Sequence, residues 1–361
     1  MNMIRDPQAA AARNLLLNCA QLTEGSRVLI VVEDASYRHY SPALGPIVAA
    51  AAQESGIEAE TIVVPFQPIV THVPDDLHRA LQGVDCAIFF ARLGDQLRFC
   101  GLGTPARIIV SYVLDEDMLA SSFGWAHHHA FGDLKHAIDR AVAEANHIRV
   151  TCPNGTDFSG PGQPSLLEAE TEVAVARFPL SVFAPVPAQG FSGQIAQRGF
   201  LTGTCSRFYH PYGVALEDVL LVDFDDNRIT GFRGSDGDVA TATGHYSAVA
   251  DQFRIDRDFV HSWHVGIHPG CAYVRDAADN FERWCSGAFG NPRVLHIHTC
   301  GAYAPGEISL NVVDPTVEID GVKVWEHGVL HPERISGGAQ VLETYPCARF
   351  AFDNPATAIG M

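Results

Sequence analysis

The first half of the chain alternates short apolar runs with segments of helical character. Continuous apolar runs at residues 27–32 (RVLIVV) and 86–90 (CAIFF) predict strands that are buried on both faces. Further strands are predicted at residues 60–64, 107–110 and 147–151, and helices at residues 46–55, 75–81 and 134–145. Strands that are separated by helices of this length predict a doubly wound, mostly parallel sheet.

The pattern changes near Cys152. Residues 153–164 (PNGTDFSGPGQP) are rich in turn formers and predict a boundary. Beyond it, segments of helical period are few, and short strands such as residues 219–224 are closed by turns. The Asp320-Gly321 pair between two apolar runs predicts a β-hairpin. We therefore expect an α/β domain over residues 1–152 and a β-rich α+β domain over residues 153–361.

Composition narrows the possible partners. The chain has 361 residues, with 24 Lys and Arg against 42 Asp and Glu, and a formal net charge of −18. Such a surface repels phosphate backbones and anionic lipids, so we expect neither nucleic acid nor a membrane as a partner. The segment at the start lacks an export pattern, and the nine Cys include no CxxC pair, which favours a cytoplasmic protein with reduced thiols. No GxGxxG follows the first predicted strand, which disfavours a dinucleotide cofactor.

Six of the histidines fall between residues 245 and 307. The cluster consists of His245, His261, His264, His268, His296 and His298. His296 and His298 lie two residues apart on a predicted strand, so both side chains leave the same face. Two imidazoles and a carboxylate form a common ligand set for Zn, Fe(II) or Mn that leaves coordination positions open. A packed or surface histidine pair is the alternative interpretation.

Five segments carry a family resemblance: SRVLIVVEDASY (26–37), NGTDFSG (154–160), FPLSVFAPVPAQGFSG (178–193), HIHTCGAY (296–303) and DPTVEIDGVKV (314–324). In this order along the chain, they resemble the aminopeptidase T type of metallopeptidases and their non-peptidase relatives, which include 2,5-dihydroxypyridine 5,6-dioxygenase. The resemblance implies a metal centre in the second domain, and it implies a homo-oligomer, because the related enzymes assemble into dimers or larger rings.

The departures from this family imply one metal ion instead of two. At the position of the family's first Glu ligand the chain has Ser181, and the second Glu aligns with His264. The family's closing His-x-Asp aligns with Glu307-Ile308-Ser309. Fewer carboxylates leave too little negative charge to hold two divalent ions close together. The dioxygenase relative binds one Fe(II) through a His in a His-Ile-Gly context, which His264-Val265-Gly266 resembles.

The expected metal ligands are therefore His264, His296 and Glu307, with His298 as an alternative to His296. One divalent ion is expected, with Fe(II) favoured and Zn or Mn as other candidates. His298 and Tyr303 are the candidate catalytic residues, since a Tyr hydroxyl can donate a hydrogen bond to a developing oxyanion. Ordinary packing is the alternative for Tyr303.

Other residues have two interpretations each. His127, His128 and His129 contact a metal or an anion at the interdomain cleft in one interpretation, and form a solvated loop in the other. Cys271 and Cys300 flank the histidines and are either soft metal ligands or small buried apolar groups.

Three functions are compatible with these residues. The favoured one is a ring-opening, Fe(II)-dependent dioxygenase that acts on a small cyclic molecule, with an N-heteroaromatic ring favoured. The second is a metal-dependent hydrolase of an amide or ring amide, of which an aminopeptidase-like enzyme is one form. The third is a non-catalytic protein that binds a small molecule on the same scaffold.

Overall fold

The structure is a computed structural model that describes residues 5–68, 70, 72–97, 103–167, 175–205, 207–302 and 306–361. The helices are α1 Pro7–Arg13, α2 Leu44–Glu54, α3 Asp75–Leu81, α4 Arg92–Leu97, α5 Glu116–Ala120, α6 Ser122–Trp125, α7 His128–Ala143, α8 Asp236–Phe253, α9 Phe281–Ala288, α10 Gly338–Thr344 and α11 Pro346–Asp353. No helix of this described part is both long and apolar enough to cross a membrane.

The strands are numbered in chain order. They are β1 Arg27–Glu33, β2 Glu58–Val64, β3 Cys86–Phe90, β4 Arg107–Ser111, β5 Ile148–Thr151, β6 Asp157–Gly160, β7 Ala176–Phe178, β8 Val186–Pro187, β9 Ser192–Gln197, β10 Phe200–Gly203, β11 Gly213–Ala215, β12 Leu220–Asp225, β13 Arg228–Arg233, β14 Val260–Val265, β15 Val294–Thr299, β16 Ile308–Val313, β17 Thr316–Ile319, β18 Val322–Glu326 and β19 Val329–Leu330.

A parallel sheet in the order β2-β1-β3-β4-β7 forms the first layer of the fold. Successive side chains of β1 point to opposite faces of the sheet. Val28 and Ile30 pack into the same core as α1 and α2, whereas Leu29 and Val31 pack into the core that contains residues of α3 and α4. Helices therefore cover both faces, and the prediction of a doubly wound, mostly parallel sheet is confirmed.

Two antiparallel sheets form the β-rich part of the molecule. Their strand orders are β11-β10-β16-β15-β14-β8 and β13-β12-β9-β6-β5-β17-β18-β19. Apolar side chains of both sheets belong to one buried core, in which Trp263 of β14 meets Phe158 of β6 with ring centroids 5.9 Å apart. The predicted combination of an α/β part and a β-rich part is confirmed.

The hairpin predicted at Asp320-Gly321 joins β17 to β18. Both turn residues have positive φ, 47° at Asp320 and 83° at Gly321. A tight two-residue turn between antiparallel strands needs this backbone conformation, which explains why an Asp-Gly pair marks the hairpin in the sequence.

The prediction that residues 147–151 continue the parallel sheet is wrong. These residues form β5, which pairs antiparallel with β6 and β17. The reason is the short turn that follows, since a few residues suffice to connect antiparallel neighbours whereas parallel neighbours need a long crossover. The strand beside β4 is instead β7, which lies beyond the predicted domain boundary. The boundary at residues 152 and 153 itself stays a prediction.

The second half also contains a long helix that its sequence hides. Helix α8 spans 18 residues, and the Ser235 side chain caps its start by accepting a hydrogen bond from the backbone N–H of Asp238. Its buried residues include Ala242, His245 and Val249, and its sequence also contains Thr and Gly residues of low helix propensity. Packing against the β-rich core stabilises it more than its local sequence does.

A buried ionic contact joins the parallel sheet to α9. Arg92 follows β3 and is fully buried, and its guanidinium pairs with Glu282 of α9. The backbone N–H of Arg92 donates to Glu33 Oε1 at the end of β1, at 2.9 Å. Burial raises the pKa of Glu33 to about 7; hydrogen bonding and charge from Arg92 oppose this shift, and the charges of Glu282 and Asp34 add to it. The contact lies where the strand order reverses between β1 and β3.

This raised pKa makes stability depend on pH. Between the ordinary Glu value of 4.5 and about 7, the folded state binds more protons than the unfolded state, so stability falls as pH rises through this range. Relative to Glu33→Gln, the parent protein loses about 2–3 kcal/mol of unfolding free energy between pH 5 and pH 8 in urea denaturation. The exposed variant Glu60→Gln serves as the control and shows no such difference. Parallel pH profiles of the parent and Glu33→Gln would contradict this assignment.

Candidate metal centre

Three adjacent strands place the candidate residues on one face of a sheet. Strand β15 lies between β14 and β16, with His264 directly opposite His296 and Ser262 directly opposite His298. Directly opposed residues of antiparallel strands share a face, as do alternate residues of one strand. His264, His296 and His298 therefore leave the sheet on the same side, as the two-residue spacing predicts for the last two.

The three imidazoles converge. One nitrogen from each of His264, His296 and His298 lies within 4.8 Å of the other two. His264 Nε2 and His298 Nε2 are 3.0 Å apart, and the ring centroids of His264 and His296 are 4.0 Å apart. Their relative exposures are only 3%, 5% and 3% for His264, His298 and His296. Elsewhere in the described residues, no other group of His, Cys, Asp and Glu side chains comes together in this way.

A backbone carbonyl orients His264. The Nδ1 atom of His264 lies 3.0 Å from the carbonyl oxygen of Phe183. Because a carbonyl oxygen only accepts, Nδ1 carries the proton, and the lone pair of Nε2 is directed toward His298. Metal-binding histidines are usually held in this way by their second nitrogen.

The segment that carries Phe183 is fixed along the end of β14. Val182 forms an isolated antiparallel bridge with Gly266, and the backbone N–H of Ile267 donates to the Ser181 carbonyl at 2.8 Å. Gly266 also lies against another chain segment, since a Cβ at this position would be 2.2 Å from the carbonyl oxygen of Asn291. The Gly in His264-Val265-Gly266 therefore serves close backbone packing beside the histidine.

Aromatic and helical residues close the face that carries the histidines. The Phe289 ring stacks on His296, with centroids 4.1 Å apart and an interplanar angle of 15°. Helix α9 covers β10, the strand that pairs with β16. There Cys285 Sγ lies 3.3 Å from Thr202 Oγ1. These contacts exclude water from around the imidazoles, which strengthens electrostatic interactions there.

The donor set fits one divalent cation. Imidazole nitrogens suit Zn, Fe, Cu and Ni, and they bind zinc at about 2.0–2.1 Å. Two nitrogens at that distance from one ion lie roughly 3 Å apart when they are neighbours in the coordination sphere, and the observed spacing of 3.0 Å agrees with this value. The triad can therefore hold a metal ion and leave positions open for other ligands.

Glu307 is not a member of the group of three. Its side chain is fully buried, with Oε1 3.3 Å from Nε of Arg207. Its backbone is held by the Thr299 carbonyl, which accepts from its N–H at 3.0 Å, and by the Tyr209 hydroxyl, which donates to its carbonyl at 3.0 Å. Metal binding by Glu307 stays a prediction, and His298 takes the third place in the observed group. Tyr303 lies outside the described residues.

The remaining histidines of the cluster have other surroundings. His268 is fully buried, stacks on Phe131 with centroids 3.7 Å apart, and accepts from the backbone N–H of Gly270 through Nδ1. Burial lowers the pKa of His268 to about 3 and keeps it neutral. His245 belongs to α8, and His261 Nδ1 lies 2.9 Å from the hydroxyl of Ser262.

The run of three histidines builds the start of α7. His127 Nδ1 accepts a hydrogen bond from the backbone N–H of His129 at 3.2 Å. Burial lowers the pKa of His128 to about 4, and His129 Nε2 lies 3.1 Å from the Asn18 carbonyl oxygen. These contacts give the run a helix-capping role.

The two flanking thiols are buried. Cys271 Sγ donates to the Gly287 carbonyl at 3.1 Å, and Cys300 Sγ donates to the Tyr246 carbonyl at 3.9 Å. Burial raises the pKa of both thiols to about 12, so both stay protonated. The interpretation as small buried groups is the one that these contacts favour.

Sequence reasoning missed two polar residues beside the triad. Ser309 lies opposite His298 and Asn311 lies opposite His296, so both share the face of the histidines. The signal was present in the sequence ISLNVV of β16, where two polar residues alternate with apolar ones in a buried strand.

Comparisons with known proteins support the fold. No protein-family model matches the chain, and no curated protein sequence matches it. The structure of 2,5-dihydroxypyridine dioxygenase from Pseudomonas putida KT2440 aligns with a TM-score of 0.59 and 14% identity, over 91% of this chain and 98% of that one. Wild-type AmpT from Thermus thermophilus aligns with a TM-score of 0.49 and 9% identity, over 89% of this chain and 98% of that one. The chain therefore has the fold of the dioxygenase.

Substitution of Gly266 tests the packing beside His264. We expect Gly266→Ala to lower the unfolding free energy by about 1–3 kcal/mol, because the new Cβ meets the Asn291 carbonyl. Gly244→Ala, in the interior of α8 with open space around it, is the matched control and raises stability by about 0.5–1 kcal/mol. Urea denaturation measures both, and a neutral Gly266→Ala would contradict the close packing.

Proposed function

We propose that the protein is a mononuclear metalloenzyme that acts on a small cyclic molecule, with His264, His296 and His298 as the metal ligands. The observation that carries this proposal is the convergence of three buried imidazole nitrogens within 4.8 Å of one another. A divalent cation is the kind of ligand that several converging imidazole nitrogens bind together. The Phe183 carbonyl supports the same role, because its contact with Nδ1 directs Nε2 of His264 into the group.

The favoured reaction is ring opening by dioxygen with Fe(II), and an N-heteroaromatic ring is the favoured substrate. The fold shared with 2,5-dihydroxypyridine dioxygenase supports it. When bound, Fe(II) supplies open positions for the substrate and dioxygen. The chain contributes the imidazoles on one face of β14 and β15, while Phe289 and α9 cover that face and keep water away.

A hydrolytic reaction is the second candidate, and the all-imidazole ligand group supports it. The group of three contains imidazoles without a carboxylate, and three imidazoles also form one of the ligand sets of catalytic zinc. When bound, zinc supplies an activated water for attack on an amide or ring amide. In both cases we expect a small-molecule substrate, a cytoplasmic location and a homo-oligomer.

Metal analysis tests the ligand set. Protein purified without oxygen and loaded with Fe(II) or Zn is expected to hold about one ion per chain. We expect His264→Ala or His296→Ala to weaken metal binding by at least about 100-fold, because losing a ligand costs more affinity than losing a residue that only supports a ligand. The half-buried neighbour His261→Ala is the control and keeps full metal content. Unchanged binding in His264→Ala would contradict the proposal.

The same preparations distinguish the reactions. Oxygen uptake with 2,5-dihydroxypyridine or a related hydroxylated ring, dependent on iron, supports the dioxygenase. Turnover of amides that is independent of oxygen and dependent on zinc supports the hydrolase. No bound metal in the parent protein, together with ligand binding that persists in His264→Ala, supports a non-catalytic binding protein and contradicts both reactions.

Glu307→Gln tests whether this carboxylate is a ligand. We expect the metal affinity to change by less than about threefold, because the imidazoles form the ligand group without it. Stability falls by about 1 kcal/mol or less, since the Arg207 partner has a side chain that is 45% exposed. Equilibrium dialysis and urea denaturation measure the two effects, and loss of the ion in this variant would make Glu307 a ligand.

A further inference from the structure

The face of the sheet that carries the histidines continues onto β16. His264, His296 and Asn311 form one cross-strand row, and Ser262, His298 and Ser309 form the next. Because directly opposed side chains are about 4.5–5.5 Å apart at Cβ, Asn311 is the immediate neighbour of His296 on the side away from His264.

Asn311 is held by two hydrogen bonds, whereas its side-chain NH₂ group has no hydrogen-bond partner among the described residues. The residue is 1% exposed, and its Oδ1 accepts a hydrogen bond from Ser309 Oγ at 2.9 Å. Its backbone N–H donates to Oε1 of Gln197 at 2.5 Å. Its Nδ2 is buried and makes no hydrogen bond to any residue that the structure describes. Such a donor is costly to bury, and in native structures it indicates a bound water, ion or ligand.

The Ser309 contact determines which end of the amide is available. Ser309 donates to Oδ1, so the NH₂ group is the end that remains for another partner. An NH₂ group donates and cannot coordinate a cation, so its partner is an acceptor such as an oxygen. Beside an imidazole-bound cation, that acceptor is a group that is itself attracted to the metal.

We propose that the Asn311 amide donates a hydrogen bond to an oxygen of the ligand bound at the His264, His296 and His298 centre. This inference rests on the proposed metal centre. It gives the substrate class: molecules with a carbonyl or deprotonated hydroxyl oxygen that binds the cation and accepts from Asn311 at the same time. Asn311 is a positioning residue that favours oxygen ligands over ligands that accept hydrogen bonds weakly, such as thiolates.

The test uses the full chain loaded with cobalt(II), whose visible spectrum reports ligand binding. Acetohydroxamate, an oxygen chelator, and 2-mercaptoethanol, a thiolate ligand, are the two probes. We expect Asn311→Ala to bind cobalt(II) like the parent, to bind acetohydroxamate about 10–150-fold more weakly, and to keep its affinity for 2-mercaptoethanol. Asn311→Asp removes the donor and adds a negative charge, so its loss for acetohydroxamate exceeds that of Asn311→Ala.

Two further variants separate positioning from damage to the fold. Ser309→Ala leaves the amide in place but frees it to rotate, and gives a smaller loss for acetohydroxamate than Asn311→Ala. Asn14→Ala is the matched control, because Asn14 is also a buried asparagine, but its Nδ2 donates to the carbonyls of Gly124 and Ala126. It leaves the affinity for both probes unaffected.

The outcomes that overturn the inference are distinct. Equal acetohydroxamate affinity in the parent and in Asn311→Ala shows that the amide contacts water only. Weaker cobalt(II) binding in Asn311→Ala with tighter binding in Asn311→Asp makes Asn311 a metal ligand. A parent that binds cobalt(II) but not acetohydroxamate has no open position beside the amide. A parent that binds no cobalt(II) overturns the proposed function, and with it this inference.

Discussion

The register of β14, β15 and β16 is the constraint on which the candidate site depends. In this register His264 lies opposite His296, and His298 follows two residues further along β15. A shift of one residue in either strand would turn its imidazole toward the apolar core between the two antiparallel sheets. That core contains Trp263, Leu295 and Ile297, which alternate with the histidines. The apolar residues on one face therefore determine where the polar residues on the other face meet.

Helix α9 links the two parts of the molecule. Cys285 of this helix contacts Thr202 in the sheet of the site, and Glu282, one turn earlier, pairs with the buried Arg92 after β3. Glu282 also accepts a hydrogen bond from Tyr37. A shift of α9 relative to the parallel sheet would therefore change the cover over the histidines. Closure of the site and the packing of the two parts are physically coupled through this helix.

The sequence alone was sufficient for local features with a strong physical signal. Buried parallel strands such as β3, the Asp320-Gly321 hairpin and the shared face of His296 and His298 follow from apolar runs, turn chemistry and the two-residue period. The sequence alone was insufficient for features that depend on which strands become neighbours in a sheet. The pairing of β5 with β17, the place of His298 in the group of three and the position of Asn311 beside His296 all depend on long-range register. Helix α8 was not predicted because its Thr and Gly residues have low helix propensity and weaken the helical pattern of apolar residues. Tertiary packing stabilises this helix.

The most direct measurement of the central claim is X-ray absorption spectroscopy of the zinc-loaded protein. The account predicts imidazole scattering from three histidines, with nitrogen atoms at about 2.0–2.1 Å from the ion, and a fall to two imidazoles in His298→Ala. A first shell of oxygen or sulfur atoms, or an unchanged imidazole count in that variant, would contradict it.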